Sequence, residues 1–295
     1  MNGIIVINKP KDFTSFDVVA LVRKYTGEKK AGHTGTLDPG AVGVLPILLG
    51  SATKAQDIIP VSDKSYIADF VFGKATDTLD IWGKVLKERE SHVTEEALRA
   101  VLHDFEGEIE QLPPMYSAVS VGGRRLYEYA RAGIEVERKK RRVTVYSIEL
   151  LSFDEESQSG SIAVSCSKGT YIRTLIADIA ERLSTVGCMT GLVRTAACGY
   201  TLKDAITLDE LKELSEKNEI VPRTVESLFT VYPMLTVSDK QAHRFKNGNP
   251  LDLSRLKGVP REDGAICRVH DREDHFLSLG VVDTEKGVLK LYKYF

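Results

Sequence analysis

The sequence has no cysteine pair at CxxC spacing, a single tryptophan, no marked excess of charge and no apolar run of membrane-spanning length. Each absence removes a class of protein. Cys166, Cys188, Cys198 and Cys267 lack the companion histidine spacing of a zinc site, so four free thiols are expected. The most apolar stretch, Ala41 to Gly50, is about half the length a spanning helix needs. Met1 to Pro10 is broken by Asn8, Lys9 and Pro10, unlike a secretory leader, so a cytoplasmic protein with no membrane contact is expected. No GxGxxG follows a strand, and neither GxxxxGKS/T nor HExxH occurs. The usual signatures of nicotinamide chemistry, nucleotide hydrolysis and zinc proteolysis are therefore missing, and a reaction without metal or cofactor is expected. A formal net charge of −2 does not announce a nucleic-acid binder. An RNA partner would require cations concentrated in one place.

What is present is ordinary globular material, 42% hydrophobic and 28% charged, enough for one large domain or a large one plus a small one. Gly3–Ile7 reads as a short buried strand. Thr14 and Asp17 have capping-box spacing, and Val18, Val19, Leu21, Val22 and Tyr25 form a helical face that Gly27 ends. Ser65–Phe72 alternates as a strand. Thr94–Phe105 is an amphipathic helix stopped by Gly107, and Val143–Leu151 with Ser161–Ser167 forms an antiparallel pair. Tyr171–Val186 carries Ile172, Leu175, Ile176, Ile179 and Leu183 on one face, with Gly187 suited to its C-terminal cap. Thr207 and Glu210 cap a further short helix. The polar stretch from Ser215 to Ser227 then reads as a linker. Beyond Val231 come a small helix, Ser238–Lys246, and the β-like runs Ala265–His270, Phe276–Asp283 and Val288–Tyr294. No regular βαβ rhythm is present, so the expected class is α+β, with residues 1–230 as the main domain and 231–295 as a small, mostly β domain.

Two segments carry candidate chemistry. Ala31 to Pro46, AGHTGTLDPGAVGVLP, concentrates glycines around His33 and Asp38 and reads as a loop that approaches something closely. By composition alone a plain surface loop, with Asp38-Pro39 opening a turn, is the favoured reading, and His33 alone is more often a structural histidine than a catalytic one. Between Arg124 and Arg142 lie eight cations (Arg124, Arg125, Arg131, Arg138, Lys139, Lys140, Arg141, Arg142) against Glu128, Glu135 and Glu137, a net +5. With Tyr116, Tyr127 and Tyr129 nearby, this segment suits phosphates and exposed bases; a solvated basic hairpin is the other reading.

These residues also carry a resemblance. GHTGTLDPGAVGVLP resembles the catalytic motif of the TruB pseudouridine synthases, and further matches follow in order from Asn8 to Gly199. They are NKPKDFTSFDVV, KSYIADFVFGKATDTLDIWGKV, PPMYSAVSVGGRRLYEYARAG, SKGTYIRTLIADIAERL and GLVRTAACG. The tail is similar, more weakly, to the small PUA domain of such enzymes. The resemblance implies a pseudouridine synthase fold with a central mixed or antiparallel sheet flanked by helices, and an RNA-gripping insertion at about 114–142.

Residue by residue, the resemblance implies that Asp38 is the catalytic aspartate. It makes Tyr66 the tyrosine that stacks on the target uracil, with a further role as a base left open, and Arg173 the arginine paired with the aspartate. Tyr171 and Leu192 match pocket-lining residues, and His33 matches a histidine that helps displace the uridine. Lys9 matches the lysine of the N-terminal motif and reads as structural support. Arg124, Arg125, Arg141 and Arg142 fall to the RNA-binding insertion, which is expected to order on binding. The sequence departs from the family pattern at Asp12, where glycine is usual, and at Phe16, where histidine is common. Val42 replaces a common Thr, Ser120 a common Lys and Val193 a common Arg.

The function so implied is cofactor-free isomerisation of the uridine at position 55 in the tRNA T-loop, by a monomer without guide RNA. Attack of the carboxylate at C1′, attack at C6, and elimination through a glycal all remain chemically open. The competing functions are a guide-RNA-dependent enzyme acting on ribosomal RNA, a non-catalytic RNA folding helper, and an α+β protein binding some other anion.

Overall fold

A computed structural model describes residues 1–295. The chain opens with β1 (Gly3–Lys9), α1 (Ser15–Thr26), β2 (Ala31–His33), β3 (Val42–Leu49) and β4 (Lys64–Phe72). A hairpin of β5 (Lys74–Thr76) and β6 (Val85–Glu88) precedes α2 (Glu95–His103) and β7 (Gly107–Gln111). A small unit of β8 (Ser120–Val121), β9 (Arg124–Arg125) and α3 (Leu126–Arg131) leads into β10 (Arg141–Asp154) and β11 (Ser159–Cys166). Then come α4 (Ile172–Arg182), β12 (Gly187–Ala197), β13 (Tyr200–Thr201) and α5 (Leu208–Glu216). The tail contributes β14 (Met234–Thr236), α6 (Asp239–Lys246), β15 (Leu251–Asp252), β16 (Ile266–His270), β17 (Phe276–Asp283) and β18 (Val288–Lys293).

The main sheet runs β1-β3-β12-β4-β11-β10-β7, with β2 added to β3 and β13 to β12. Every pair is antiparallel except the short β3–β12 contact, where Val42 and Gly43 run parallel to Val193 and Arg194. Gly43 is required there. Its φ is +108°, and an added Cβ would run into the Arg194 backbone. The expected α+β class with a mixed sheet is therefore the observed one.

Alternation along the first strands distributes the core. Ile5, Ile7, Leu45, Ile47 and Leu49 face Val18, Val19 and Val22 of α1 and Leu211 of α5. Ile4, Val6, Val44 and Leu48 point the other way, onto Phe229 and Leu279. Farther along the sheet, Phe70, Phe72, Ile162 and Met189 pack under Leu98 and Leu102 of α2 and Leu175, Ile176 and Ile179 of α4. Removing one such fully buried leucine, as in Leu175→Ala, costs about 2–5 kcal/mol.

The capping boxes at Thr14/Asp17 and Thr207/Glu210 are present as their spacing implies. Three expectations are corrected. The helix expected over Tyr171–Val186 stops at Arg182, and Ser184 takes the left-handed conformation with φ 55°. Gly187 instead starts β12, where a Cβ would collide with Ala180 and Phe72. The helix after Thr94 also ends early, at His103, and Gly107 opens β7 instead of closing the helix. The stretch read as a linker is bound to the sheet. Arg223 exchanges backbone hydrogen bonds with Ile4 on the free edge of β1, and Leu228 is buried just beyond it.

The tail strands make a second sheet, ordered β14-β16-β17-β18-β15, around Leu235, Phe245, Val269, Val282 and Leu289. Glu226 joins it to the preceding segment, accepting from Arg268 Nη1 at 2.6 Å and lying 2.8 Å from His270 Nε2. All four cysteines are buried and unpaired. No helix is long and apolar enough to cross a membrane.

Candidate active site

The loop around Asp38 is held by side chains from three directions. Ser15 Oγ, buried at the start of α1, donates to Leu37 O at 3.0 Å and accepts from Leu37 N at 2.8 Å. Lys9 at the end of β1 is fully buried, and its Nζ donates to the carbonyls of Phe13 (2.6 Å), Pro10 (2.9 Å) and Pro39 (3.2 Å). Burial pushes this ammonium down to about 8. Asp12 N donates to Pro39 O at 2.9 Å from a backbone with φ 66°. That left-handed conformation is one that glycine adopts freely and that Asp tolerates. The glycine-rich segment is thus less of a loop than its composition suggests. His33 belongs to β2, and Val42 to Pro46 belong to β3, leaving Thr34–Ala41 as the connection.

Arg173, in the first turn of α4, organises the carboxylates. Its Nη2 lies 3.0 Å from Asp38 Oδ2 and donates to Tyr116 O at 2.9 Å. Its Nη1 donates to Thr78 O at 2.8 Å and reaches Asp80 Oδ2 at 3.5 Å. The guanidinium is buried while the Asp38 carboxylate remains 43% exposed, so the pair presents a fixed, open acid to incoming ligand. Asp80 is the hidden third member. Burial raises its pKa, opposed by the Thr78 hydroxyl, which donates to Asp80 Oδ1 at 2.7 Å, and by Arg173.

Tyr66 sits on β4 directly opposite Arg194 of β12, and Ala68 two residues on faces Leu192. Arg194 is completely buried. Its Nε donates to Val44 O at 2.7 Å, Nη2 to Gly35 O at 3.1 Å and Nη1 to Thr36 O at 3.3 Å, so it ties the Asp38 loop to the sheet centre. Burial lowers its pKa, and burial also pushes the Tyr66 phenol up to about 12 despite the neighbouring guanidinium. At neutral pH Tyr66 is therefore a neutral phenol.

Asp38, Tyr66 and Arg173 line a cavity of about 250 Å³, together with Tyr171, Leu192, Lys64 and Ser117. Tyr171 is positioned by Gln111, which accepts from its backbone N at 3.0 Å and donates to its O at 3.3 Å. The structure thus gathers Asp38, Tyr66, Arg173, Tyr171 and Leu192 at one cavity, and Lys9 behind its loop. His33 is not part of the lining. It lies two residues before Gly35 with its pKa lowered by burial, and its Nδ1 has no partner.

Arg124, Arg125, Arg141 and Arg142 lie apart from the cavity lining and are all exposed. Arg124 stacks 5.0 Å from the Tyr129 ring, and Arg125 donates to Ala118 O at 2.6 Å. Arg142 pairs with Glu108 at 3.4 Å, and Arg141 begins β10 beside it. The insertion folds into its own hairpin and helix around buried Leu126.

Sequence reading assigned no role to Asp80, Arg194 or Lys64. Each lies inside a matched segment, and a cation or carboxylate within an apolar strand or tight turn was the available signal.

Residues 23–172 match the model of the TruB family pseudouridylate synthase N-terminal domain. The chain belongs to the TruB family. It is 43% identical over 289 residues to tRNA pseudouridine synthase B of Clostridium perfringens strain 13, covering 97% of each chain. It is 41% identical over 306 residues to the protein of the same name from Geobacillus thermodenitrificans, covering all of both. Among solved structures, a chain in the crystal structure of a Cbf5-Nop10-Gar1 complex superposes with a TM-score of 0.75 at 25% identity. That match covers 99% of this TruB-family chain and 84% of the other.

Proposed function

We propose that this enzyme isomerises the uridine at position 55 in the T-loop of tRNA to pseudouridine, with Asp38 as the reacting carboxylate. The observation that carries the reading is the open Asp38 carboxylate clamped at 3.0 Å by buried Arg173, on a cavity walled by Tyr66 and Leu192. The reaction breaks the N1–C1′ bond, turns the uracil and joins C5 to C1′; the C5 proton leaves and N1 gains one. The base must leave its stack to reach the cavity, at a cost of a few kcal/mol. Stacking on an aromatic returns about 1–3 kcal/mol per base. Tyr66 is the platform and Leu192 the apolar wall opposite, while Tyr171 borders the base and His33 assists its displacement from the loop.

Arg124, Arg125, Arg141 and Arg142 take the phosphates of the T-arm, and the sheet of residues 231–295 acts as a PUA-like RNA-binding domain. The relatives named tRNA pseudouridine synthase B match over 97–100% of their length, which supports tRNA as the substrate; action as a monomer without guide RNA is part of this proposal. The test is tritium release from tRNA labelled at C5 of uridine. Wild type releases tritium, Asp38→Asn does not although it still binds tRNA, and cytidine at the target position abolishes release. Tight binding without release by wild type would transfer the reading to RNA folding.

A further inference from the structure

The one tryptophan of the chain, Trp82, lies outside the machinery described above and is 51% exposed. Half of this large aromatic side chain therefore stays in solvent, where its ring offers a face on which a base can stack. The indole is also held firmly. Its loop, between β5 and β6, is pinned to β12 by Ile81 N donating to Met189 O at 2.8 Å and Met189 N donating to Leu79 O at 3.1 Å. The same loop supplies Thr78 O and Asp80 to Arg173.

The indole rests against Gly40, two residues from Asp38. A Cβ on Gly40 would lie 2.9 Å from Cη2 and Cζ3 of the ring. Gly40 does not adopt a positive φ, so its small size serves this contact and not a backbone requirement. Lys11 Nζ stands 5.6 Å from the ring centroid.

We infer that Trp82 and Lys11 form a second nucleotide subsite, in which an unpaired base of the substrate RNA stacks on the indole and its phosphate meets the ammonium. This rests on the proposed action on tRNA and adds a contact to it. The chemistry is that of single-strand binding, an aromatic face beside a cation. Ile81, Val85 and Leu86 are also exposed, so a second copy of the chain is the competing occupant. The lysine, and the short path from indole to Asp38, favour RNA.

Because Trp82 is the sole tryptophan, its emission reports this place alone. Full-length Asp38→Asn protein, which does not turn over, is titrated with tRNA transcript while emission and filter retention are followed together. The subsite requires saturable quenching in step with retention. Trp82→Ala weakens retention about tenfold and Trp82→Phe less than about threefold. An abasic scan of the T-arm then finds one position whose removal weakens wild type but leaves Trp82→Ala unaffected. Retention with unchanged emission, or Trp82→Ala binding as wild type, overturns the subsite. Emission that shifts with protein concentration in the absence of RNA assigns the patch to self-association and also overturns it. Tritium release by wild type on the same RNA separates the two failures: release without quenching sinks the subsite alone, whereas neither release nor retention sinks the functional reading with it.

Discussion

Arg173 and Asp38 meet at 3.0 Å across the edge of the cavity, the arginine buried and the aspartate open. The guanidinium is shared among two carboxylates and the carbonyls of Thr78 and Tyr116, and this planar fork fixes the acid's direction. Arg173→Lys keeps the charge and loses the fork, so turnover on C5-tritiated tRNA falls by about 100-fold or more. Asp80→Asn keeps the shape of the third member and removes its charge. Its turnover falls by about tenfold, with RNA retention near wild type. Undiminished turnover in Arg173→Lys would show that a point charge suffices.

Tyr66 separates stacking from proton transfer. Tyr66→Phe preserves the ring and retains RNA within about threefold of wild type, whereas Tyr66→Ala loses about 1–3 kcal/mol of binding. With the phenol pushed up to about 12, Tyr66 is almost never a phenolate at neutral pH. Single-turnover rates of wild type are therefore flat between pH 7 and 9. A tenfold rise per pH unit would instead make a phenolate the working base.

Asp178, on α4, has its carboxyl pushed up to about 6, first by burial and then by Glu181. The folded chain thus holds a proton that the unfolded chain, near 3.8, has released, and stability falls as pH rises from about 4 to 6. Asp178→Asn removes this penalty. It stabilises the protein by on the order of 1–2 kcal/mol at pH 7.5, after allowing for partial solvent exposure, and the gain vanishes below about pH 4. Thermal melts at the two pH values check it; an equal effect at both would locate the cause outside the carboxyl's charge.

Asp12 carries a left-handed backbone within reach of Pro39. Asp12→Gly stays within about 1 kcal/mol of wild type in denaturant melts. Asp12→Val costs about 1–3 kcal/mol because a β-branched side chain resists that conformation. Equal stability of the two variants would remove the backbone argument.

Local signals were legible where four to ten residues decide the outcome. The Thr14/Asp17 and Thr207/Glu210 boxes, the alternation in Phe276–Asp283 and the motif around Asp38 are of that kind. Arg194 is different. It is buried in an apolar strand only because three carbonyls about 150 residues earlier in the chain accept its protons, and no local pattern encodes that. Gly187 misled for a related reason: it is small to admit Ala180 and Phe72, and a helix-stop pattern looks identical in sequence. The Ser215–Ser227 stretch read as a linker because polar side chains conceal a backbone that bonds to Ile4.

The order β3-β12-β4 has a consequence for how the chain acquires its structure. Strands β3 and β4 are neighbours in sequence but not in the sheet, and the strand between them leaves the ribosome more than a hundred residues after β4. Until it arrives, β4 presents a whole unpaired edge and β3 its first residues, Val42 and Gly43, and Leu192 and Arg194 have not taken their places. A nascent chain halted before Gly187 has two half-sheets, with the long edge of β4 open, and needs protection from neighbours. Closure is a long-range event, slow by the topology of its contacts, and the cavity around Asp38 comes into being only at that step.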